Sequence, residues 1–152
     1  MFTDYELTEA TTSGAVFDRC EFLGAAFNAS VHDTTRFDNC MFRDSSLFGA
    51  TLRQCKLTGT RFQDTAMRSL TVEGGVWSWV SMFGADLLDK ATLRGANLVK
   101  ATLRAASIDG AVFTGADLSG VQLAGLDWRR TRVDGQLAMQ IAESLGATID
   151  AP

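Results

Sequence analysis

A five-residue repeat runs through most of this 152-residue chain and restricts the folds open to it. When each unit is numbered from a central residue i, the centres fall every five residues over 7–87 and again over 93–133. Of these 26 centres 24 are apolar, and the exceptions are Thr12 and His32. The residue at i−2 is small in 23 of the 26 units, and 12 of the 14 glycines lie at i+2. Three residue classes therefore keep one phase along the chain.

A period of five fits neither the helical turn of an α-helix nor the simple in-and-out alternation of a flat strand. It fits a chain that turns a corner after every unit, so that four units close one square coil. Within a unit, i and i−2 point to the same side, as on a short strand, and both face the interior. Glycine at i+2 suits the corner, where a positive φ is often required. The pattern predicts about six and a half stacked coils, in a rod roughly 30 Å long.

Several units resemble the A-(D/N)-L-x-x pattern of the pentapeptide repeat family, namely Ala85-Asp86-Leu87, Ala96-Asn97-Leu98 and Ala116-Asp117-Leu118. The resemblance covers roughly residues 5 to 135. It implies an all-β fold, a right-handed quadrilateral parallel β-helix. The handedness follows from the resemblance and not from the period.

The repeat ends after residue 133, and the last residues have a helical pattern. Asp134 is a suitable helix N-cap, apolar residues follow at helical spacing, and Gly146 suits the stop. Such a helix would cover the last open coil, and its spare apolar residues would meet a second copy. The candidate dimer contacts are Leu137, Met139, Ile141, Ala142 and Leu145. We therefore predict a repeat β-helix over residues 1–133 and a capping and dimerisation helix with a tail over 134–152.

Catalytic and metal-binding patterns do not emerge from the sequence. Cys20, Cys40 and Cys55 all lie at i−2 and are expected as free, inert core residues. The single histidine, His32, lies at a centre, where it cannot join a well-spaced set of metal ligands. The glycine spacing follows the repeat and not a phosphate-binding loop. We predict a protein that is not an enzyme and that holds no metal and no cofactor.

Charge and hydropathy also exclude several classes of protein. The formal charge of −4 disfavours direct binding of nucleic acid by the chain as a whole. The N-terminal residues show no secretory signal, and the uncharged stretch 74–85 is too short to span a bilayer. Three cysteines without a signal indicate reduced thiols. We expect a cytoplasmic protein without a membrane anchor.

The end of the chain, residues 115–146, resembles one group within the family, the Qnr and MfpA quinolone-resistance proteins. That resemblance implies a homodimer formed through the C-terminal helix. It also implies binding to DNA gyrase and topoisomerase IV by mimicry of duplex DNA, with protection of the enzyme from quinolones or other poisons. The alternative function is a non-catalytic interaction scaffold with an unrelated partner.

A candidate surface for such a partner is an acidic column near the helical end. If four units make a coil, the units centred on Leu87, Ile108 and Trp128 stack on one side. Their outward acidic residues are Asp86, Asp89, Asp109 and Asp127. Phosphates of duplex DNA also form closely spaced negative rows. The other interpretation is a set of solvated repeat positions, since Arg129 and Arg130 lie beside the column and residues 45–108 carry four acids and eight bases.

Two irregularities each have two interpretations. The repeat slips by one residue around 88–90, which predicts either a bulge absorbed at a corner or a projection of Asp89 and Lys90 toward a partner. Trp79 and Phe83 are expected to face outward. They either mark an interface or cover each other along one side of the rod.

Overall fold

The computed structural model describes residues 1–87 and 90–151 as a stack of four-sided coils. The strands are β1 Phe2–Thr3, β2 Thr11–Ser13, β3 Val16–Asp18, β4 Glu21–Leu23, β5 Val31–Asp33, β6 Arg36–Asp38, β7 Met41–Arg43, β8 Thr51–Arg53, β9 Arg61–Gln63, β10 Thr71–Glu73 and β11 Thr92–Arg94, and the helix α1 spans Gly135–Ser144. Three parallel sheets follow three sides of the rod, in the orders β1-β4-β7-β9, β2-β5-β8-β10-β11 and β3-β6. The predicted fold class, a quadrilateral parallel β-helix followed by a short helix, is confirmed.

The ladder register shows directly that four units make one coil. Thr12 pairs with His32 and His32 with Leu52, so each centre meets the centre four units further along the chain. On the two sides of the slip, Val72 pairs with Leu93, whereas four regular units would pair it with residue 92. The coil containing the slip is therefore one residue longer than the others, and the ladder continues beyond it. Asp89, part of the predicted column and of the predicted projection, lies outside the described residues.

The large centres fill the axis of the rod, as the phase of the repeat predicts. Phe22, Phe42 and Phe62 are buried in successive coils of one side. Their rings stack with centroids 4.7 Å and 5.0 Å apart. Leucine is the commonest centre from Leu87 onward, and Leu87, Leu93 and Leu98 are equally buried. Because each coil buries its interior against its two neighbours, the core is one continuous column.

The corners adopt left-handed backbone at i+2 even where the residue there is not glycine. Asp44 and Gln54, for example, have φ of 49° and 48°. Gly75 is a special case because it lies at i−2, beside the bulky centre Trp77. A Cβ atom on Gly75 would collide with the Cys55 carbonyl oxygen. The absence of a side chain at this position is therefore a packing requirement.

At many units the carbonyl oxygen of the centre accepts a hydrogen bond from outside the ladder, in one of two ways. At closed corners the chain folds back, as where the Ala50 N–H donates to the Leu47 carbonyl oxygen at 3.0 Å. At open corners a polar i−2 side chain from the next coil enters instead. The Ser45 hydroxyl accepts from the Ala25 N–H at 3.1 Å and donates to the Phe22 carbonyl oxygen at 3.2 Å. Serine, threonine or cysteine at i−2 thus replaces the missing turn hydrogen bond.

The last coil leaves the ladder over residues 121–130. Up to that point the bonds are regular, with Leu98 N–H donating to the Asp117 carbonyl oxygen at 2.8 Å. They resume where Arg132 N–H donates to the Ala111 carbonyl oxygen at 2.9 Å. Between them Leu126 occupies an i−2 position that is normally small, next to the centre Trp128. Two bulky side chains exceed the space inside one coil, so this segment stands away from the coil below.

The helix α1 closes the end of the rod. Asp134 caps it, since its Oδ1 accepts from the Leu137 N–H at 2.9 Å and its Oδ2 accepts from the Gly115 N–H at 2.7 Å. These bonds lower the pKa of the Asp134 carboxyl group. Leu137, 2% exposed, joins the core below the helix. One side chain therefore ties the helix both to its own first turn and to the preceding coil.

Candidate partner-binding surface at the helical end

The structure brings the described members of the predicted acidic column to one side of the rod. Asp86 pairs with Ser107 in the ladder, which places the units of Leu87 and Ile108 in register. Asp86 and Asp127 both occupy i−1 positions, and Asp109 occupies the adjoining i+1 position. Arg130, two residues after the centre Trp128, hydrogen-bonds to Asp109, which places the unit of Trp128 on the same side as the unit of Ile108. The predicted stacking on one side is therefore present for these residues.

Each of these carboxylates is paired with an arginine of the same chain. Arg68 Nε lies 2.7 Å from Asp86 Oδ2. Arg130 Nε lies 2.9 Å from Asp109 Oδ1. The hydrogen bonds from Arg130 hold the pKa of Asp109 below its usual range. These pairs reduce the negative charge that the column presents to a partner.

The pair between Asp127 and Arg129 is bidentate. Arg129 Nε lies 2.9 Å from Asp127 Oδ1, and its terminal nitrogen lies 2.5 Å from Oδ2. These hydrogen bonds lower the pKa of Asp127 to about 2. Both arginines of the terminal coil, Arg129 and Arg130, are largely exposed. Exposed ion pairs of this kind are weak and screened by salt, so a partner's charges could replace either member.

The carboxylates outside ion pairs lie mainly at the other end of the rod. Within the described part of the chain, every acidic residue of the first 44 positions except Asp38 lies outside an ion pair. These residues are Asp4, Glu6, Glu9, Asp18, Glu21, Asp33 and Asp44. Asp38 pairs with Arg36 at 2.6 Å. Sequence reasoning noted the excess of acids over residues 1–44 but not this difference in pairing. For Asp86 it missed Arg68, about one coil earlier in the sequence, and for Asp109 it placed Arg130 beside the column without pairing the two.

The candidate dimer residues of α1 divide into two groups. Leu137 belongs to the core of its own chain, so it acts in the lid and is not available to a second copy. Met139 and Leu145 are exposed, at 46% and 71%. Ile141 and Ala142 are half-buried. An exposed apolar strip, formed by Met139, Ile141, Ala142 and Leu145, therefore remains after the lid is formed.

The aromatic residues Trp79 and Phe83 face outward, as the sequence predicted. They are 60% and 52% exposed. Among the described residues they make no ring contact with each other, so they do not cover one another. The Lys100 ammonium lies 4.8 Å from the centre of the Trp79 ring instead. This cation–π contact links a corner of one coil to the corner of the next.

Metal-binding clusters and membrane-spanning helices are both absent from the described ranges. No group of three or more His, Cys, Asp or Glu side chains in residues 1–87 and 90–151 has the geometry to hold a metal ion. Over those same residues, no helix is long and apolar enough to cross a membrane.

Comparison with known proteins identifies the repeat and one relative in sequence. The model of the pentapeptide repeats matches residues 35–69 and 87–125, in eight copies. The pentapeptide repeat protein MfpA of Mycobacterium tuberculosis is 32% identical over 97 residues, which are 64% of this chain and 50% of MfpA. The match thus spans about half the length of that relative.

The fold also matches a solved structure. A trypsin-treated variant of QnrB1, a plasmid-mediated fluoroquinolone resistance protein, superposes with a TM-score of 0.54 at 20% identity. The match covers 98% of this chain and 87% of QnrB1. At this identity the likeness concerns the fold alone.

Proposed function

The chain belongs to the pentapeptide repeat family, and we propose that it is a non-catalytic protein that binds DNA gyrase or topoisomerase IV. Binding would protect the topoisomerase from quinolones or other poisons. The observation that carries this proposal is the similarity to MfpA over 64% of the chain. The resemblance of residues 115–146 to the Qnr and MfpA group supports it, because that segment forms the capped end of the rod with its exposed apolar strip.

The acidic column is the proposed contact with the topoisomerase. Its described members share exposed ion pairs with arginines, and a cationic groove would compete for these carboxylates. Arg129 and Arg130 would then turn away as lysines and arginines of the partner replace them. A surface of this kind binds in competition with DNA and weakens as salt rises. A dimer through α1 would place two columns end to end.

The experiment that tests this proposal measures binding to gyrase and protection of its supercoiling activity. Purified protein is tested for capture of the gyrase subunits and then in a supercoiling assay with and without a fluoroquinolone. We expect capture that excess duplex DNA reverses, and supercoiling that persists at a quinolone concentration that stops gyrase alone. A protein that captures neither subunit and leaves the quinolone response unchanged would refute the proposal.

A charge-matched pair of variants tests the column itself. One set carries Asn at Asp86, Asp89, Asp109 and Asp127, and the control set carries Asn at Asp4, Asp18, Asp33 and Asp44. All eight positions lie outside i and i−2, so both sets should fold. We expect the first set to weaken gyrase binding at least about tenfold and the control set to change it by less than about twofold. If both sets lose gyrase binding equally, the partner recognises the overall negative charge of the rod and not the column.

The second candidate function is an interaction scaffold for an unrelated partner. The exposed Trp79 and Phe83 favour it, because exposed aromatic side chains are enriched in protein interfaces. Substitution of both by Ser separates the two functions. Gyrase binding that depends on the column should survive this change, whereas a scaffold that uses the aromatic residues should lose its partner.

A further inference from the structure

A cleft opens where the last coil stands away from the coil below. It has a volume of about 600 Å³ and lies between residues 100–105 on one wall and residues 120–126 on the other. A cleft of this size is within the range of sites that bind small ligands. Leu126, the bulky residue that holds the last coil away, lines it as well.

The lower wall of the cleft is an unpaired strand edge. In the preceding five-residue unit, Leu98 N–H and Lys100 N–H donate to the carbonyl oxygens of Asp117 and Ser119, each at 2.8 Å. The equivalent groups here, Leu103 N–H and Ala105 N–H, donate to no partner among the described residues. The edge therefore offers two donors at alternate residues, as a strand does to its neighbour. Such an edge is a template for another chain.

The carbonyl oxygen of Ala101 completes this edge. In the preceding unit the Ala96 carbonyl oxygen accepts from the Asp117 N–H at 3.0 Å. The Ala101 carbonyl oxygen accepts no backbone hydrogen bond within the part of the chain that the structure describes. One acceptor and two donors thus lie in the order that a parallel strand requires.

The charge of the cleft is positive. Lys100 and Arg104 line it, and no acidic residue is among its lining residues. Arg104 forms no ion pair within the described ranges, and Lys100 contacts the Trp79 ring. These two cations belong to the basic middle of the chain, residues 45–108, in a protein whose formal charge is −4.

We propose that this cleft binds an extended peptide segment with acidic side chains, which adds as a strand along residues 101–105. The alternating donors and the acceptor would pair with the peptide backbone, and Lys100 and Arg104 would pair with its carboxylates. A small anion would use the cations but leave the ordered donors and acceptor of the edge unmatched. The edge and the charge together therefore favour a peptide.

The side chain of Leu126 keeps the cleft open, because it holds the last coil away from the coil below. The other bulky aliphatic residue at i−2, Leu70, leaves the ladder intact because its centre, Val72, is small. The centre that follows Leu126 is the large Trp128, so no small centre compensates for the bulk of Leu126. Leu126→Ala should let residues 121–130 pair with the edge and close the cleft. The same substitution that restores the repeat should therefore abolish peptide binding.

The probe is a fluorescein-labelled pentapeptide of alternating valine and glutamate, measured by fluorescence anisotropy with the full chain. We expect a lysine-for-glutamate analogue, and an analogue N-methylated at alternate residues, each to bind at least about tenfold more weakly. Hydrogen exchange at the Leu103 and Ala105 amides should be fast in the free protein and slow when the peptide is bound. In Leu126→Ala these two amides should be slow without peptide.

A matched pair of variants tests the charges. Lys100→Gln with Arg104→Gln should weaken binding of the glutamate peptide at least about tenfold, while Lys56→Gln with Arg61→Gln, two exposed cations elsewhere on the rod, should change it by less than about twofold. The proposal is overturned if both pairs behave alike, or if the free protein already protects Leu103 and Ala105. Equal binding of the N-methylated peptide would also overturn it, because the site would then recognise charge without strand addition.

Discussion

The thiol of Cys40 donates a hydrogen bond to the main-chain carbonyl oxygen of Phe17, one coil below, across 3.2 Å. Phe17 pairs with Phe37 in the ladder, and the Cys20 N–H makes no turn hydrogen bond to this carbonyl, so the thiol takes the place of that turn bond. Cys55 does the same for the His32 carbonyl oxygen at 3.3 Å. The cysteines at i−2 are thus more than small fillers of the core. They add a hydrogen-bond donor at corners that lack the turn hydrogen bond.

Burial should make two of the three thiols unreactive in the folded protein. It raises the pKa of Cys40 to about 11 and also raises the pKa of Cys55. Cys20, in the first coil, is only half-buried. At pH 8 we expect a disulfide reagent such as DTNB to label one thiol quickly in native protein and three in denaturant. Cys20→Ser should remove the fast reaction and Cys40→Ser should not; the reverse result would contradict the assignment.

The phase of the repeat predicts large differences in stability between positions. Phe42→Ala removes a buried ring that stacks on Phe22 and Phe62 and should lower the free energy of unfolding by about 3–5 kcal/mol. Thr114→Ala, at an outward i+1 position, should change it by less than about 0.5 kcal/mol. Urea denaturation of both variants measures the difference. Coincident midpoints would show that the phase is wrong.

Protonation of His32 should destabilise the fold in mildly acidic solution. The ring is buried, with Nδ1 at 2.6 Å from Thr12 Oγ1 and Nε2 at 2.9 Å from Ser30 Oγ. Burial lowers its pKa from 6.5 to about 4. The unfolded chain therefore binds the proton first, and stability present above pH 6.5 is lost as the pH falls toward 4, by about 3 kcal/mol.

A variant isolates the contribution of this histidine from that of the carboxyl groups. His32→Leu places at this centre the residue type found at Leu52 in the next coil. We expect the difference in unfolding free energy between the variant and the original protein to grow as the pH is lowered from 7 to 4. A difference that stays constant over this range would show that His32 does not titrate differently on folding.

The exposed apolar strip of α1 predicts a homodimer. Ile141→Asp with Leu145→Asp should convert it to a monomer, because two charges would enter the interface. Gln136→Glu with Thr148→Asp adds the same charge at exposed positions and serves as the control. Sedimentation over a range of concentrations measures the change. If the unaltered protein sediments as a monomer at high concentration, the helix serves only as a lid.

Much of the architecture could be predicted from the sequence because the repeat is a local signal. The five-residue phase placed Phe22 and Phe42 in the core, and the glycine positions marked corners with positive φ. The helix was predictable from Asp134 at its start and Gly146 after its end. These features depend on residues close in the chain. The slip could be located in the same way, but its structural consequence could not.

The candidate surfaces were less predictable, since they depend on residues about one coil apart. The sequence placed Asp109 on the acidic side with Arg130 nearby, but it did not reveal that Arg68, one coil earlier, pairs with Asp86. It identified Leu126 as an exception to the small i−2 rule but not the cleft beside it.

The period, the inward phase and the helical end follow from the sequence alone, because a repeated pattern of side-chain size leaves one way to bury its large members. The packing of neighbouring coils decides which carboxylates are paired and which carbonyl groups also accept from a side chain. It also decides that Leu137 belongs to the lid while Leu145 remains exposed. The physical reason is that hydrogen bonds and ion pairs depend on direction and distance between neighbouring coils, whereas burial in this rod depends mainly on the position of a residue within its own unit.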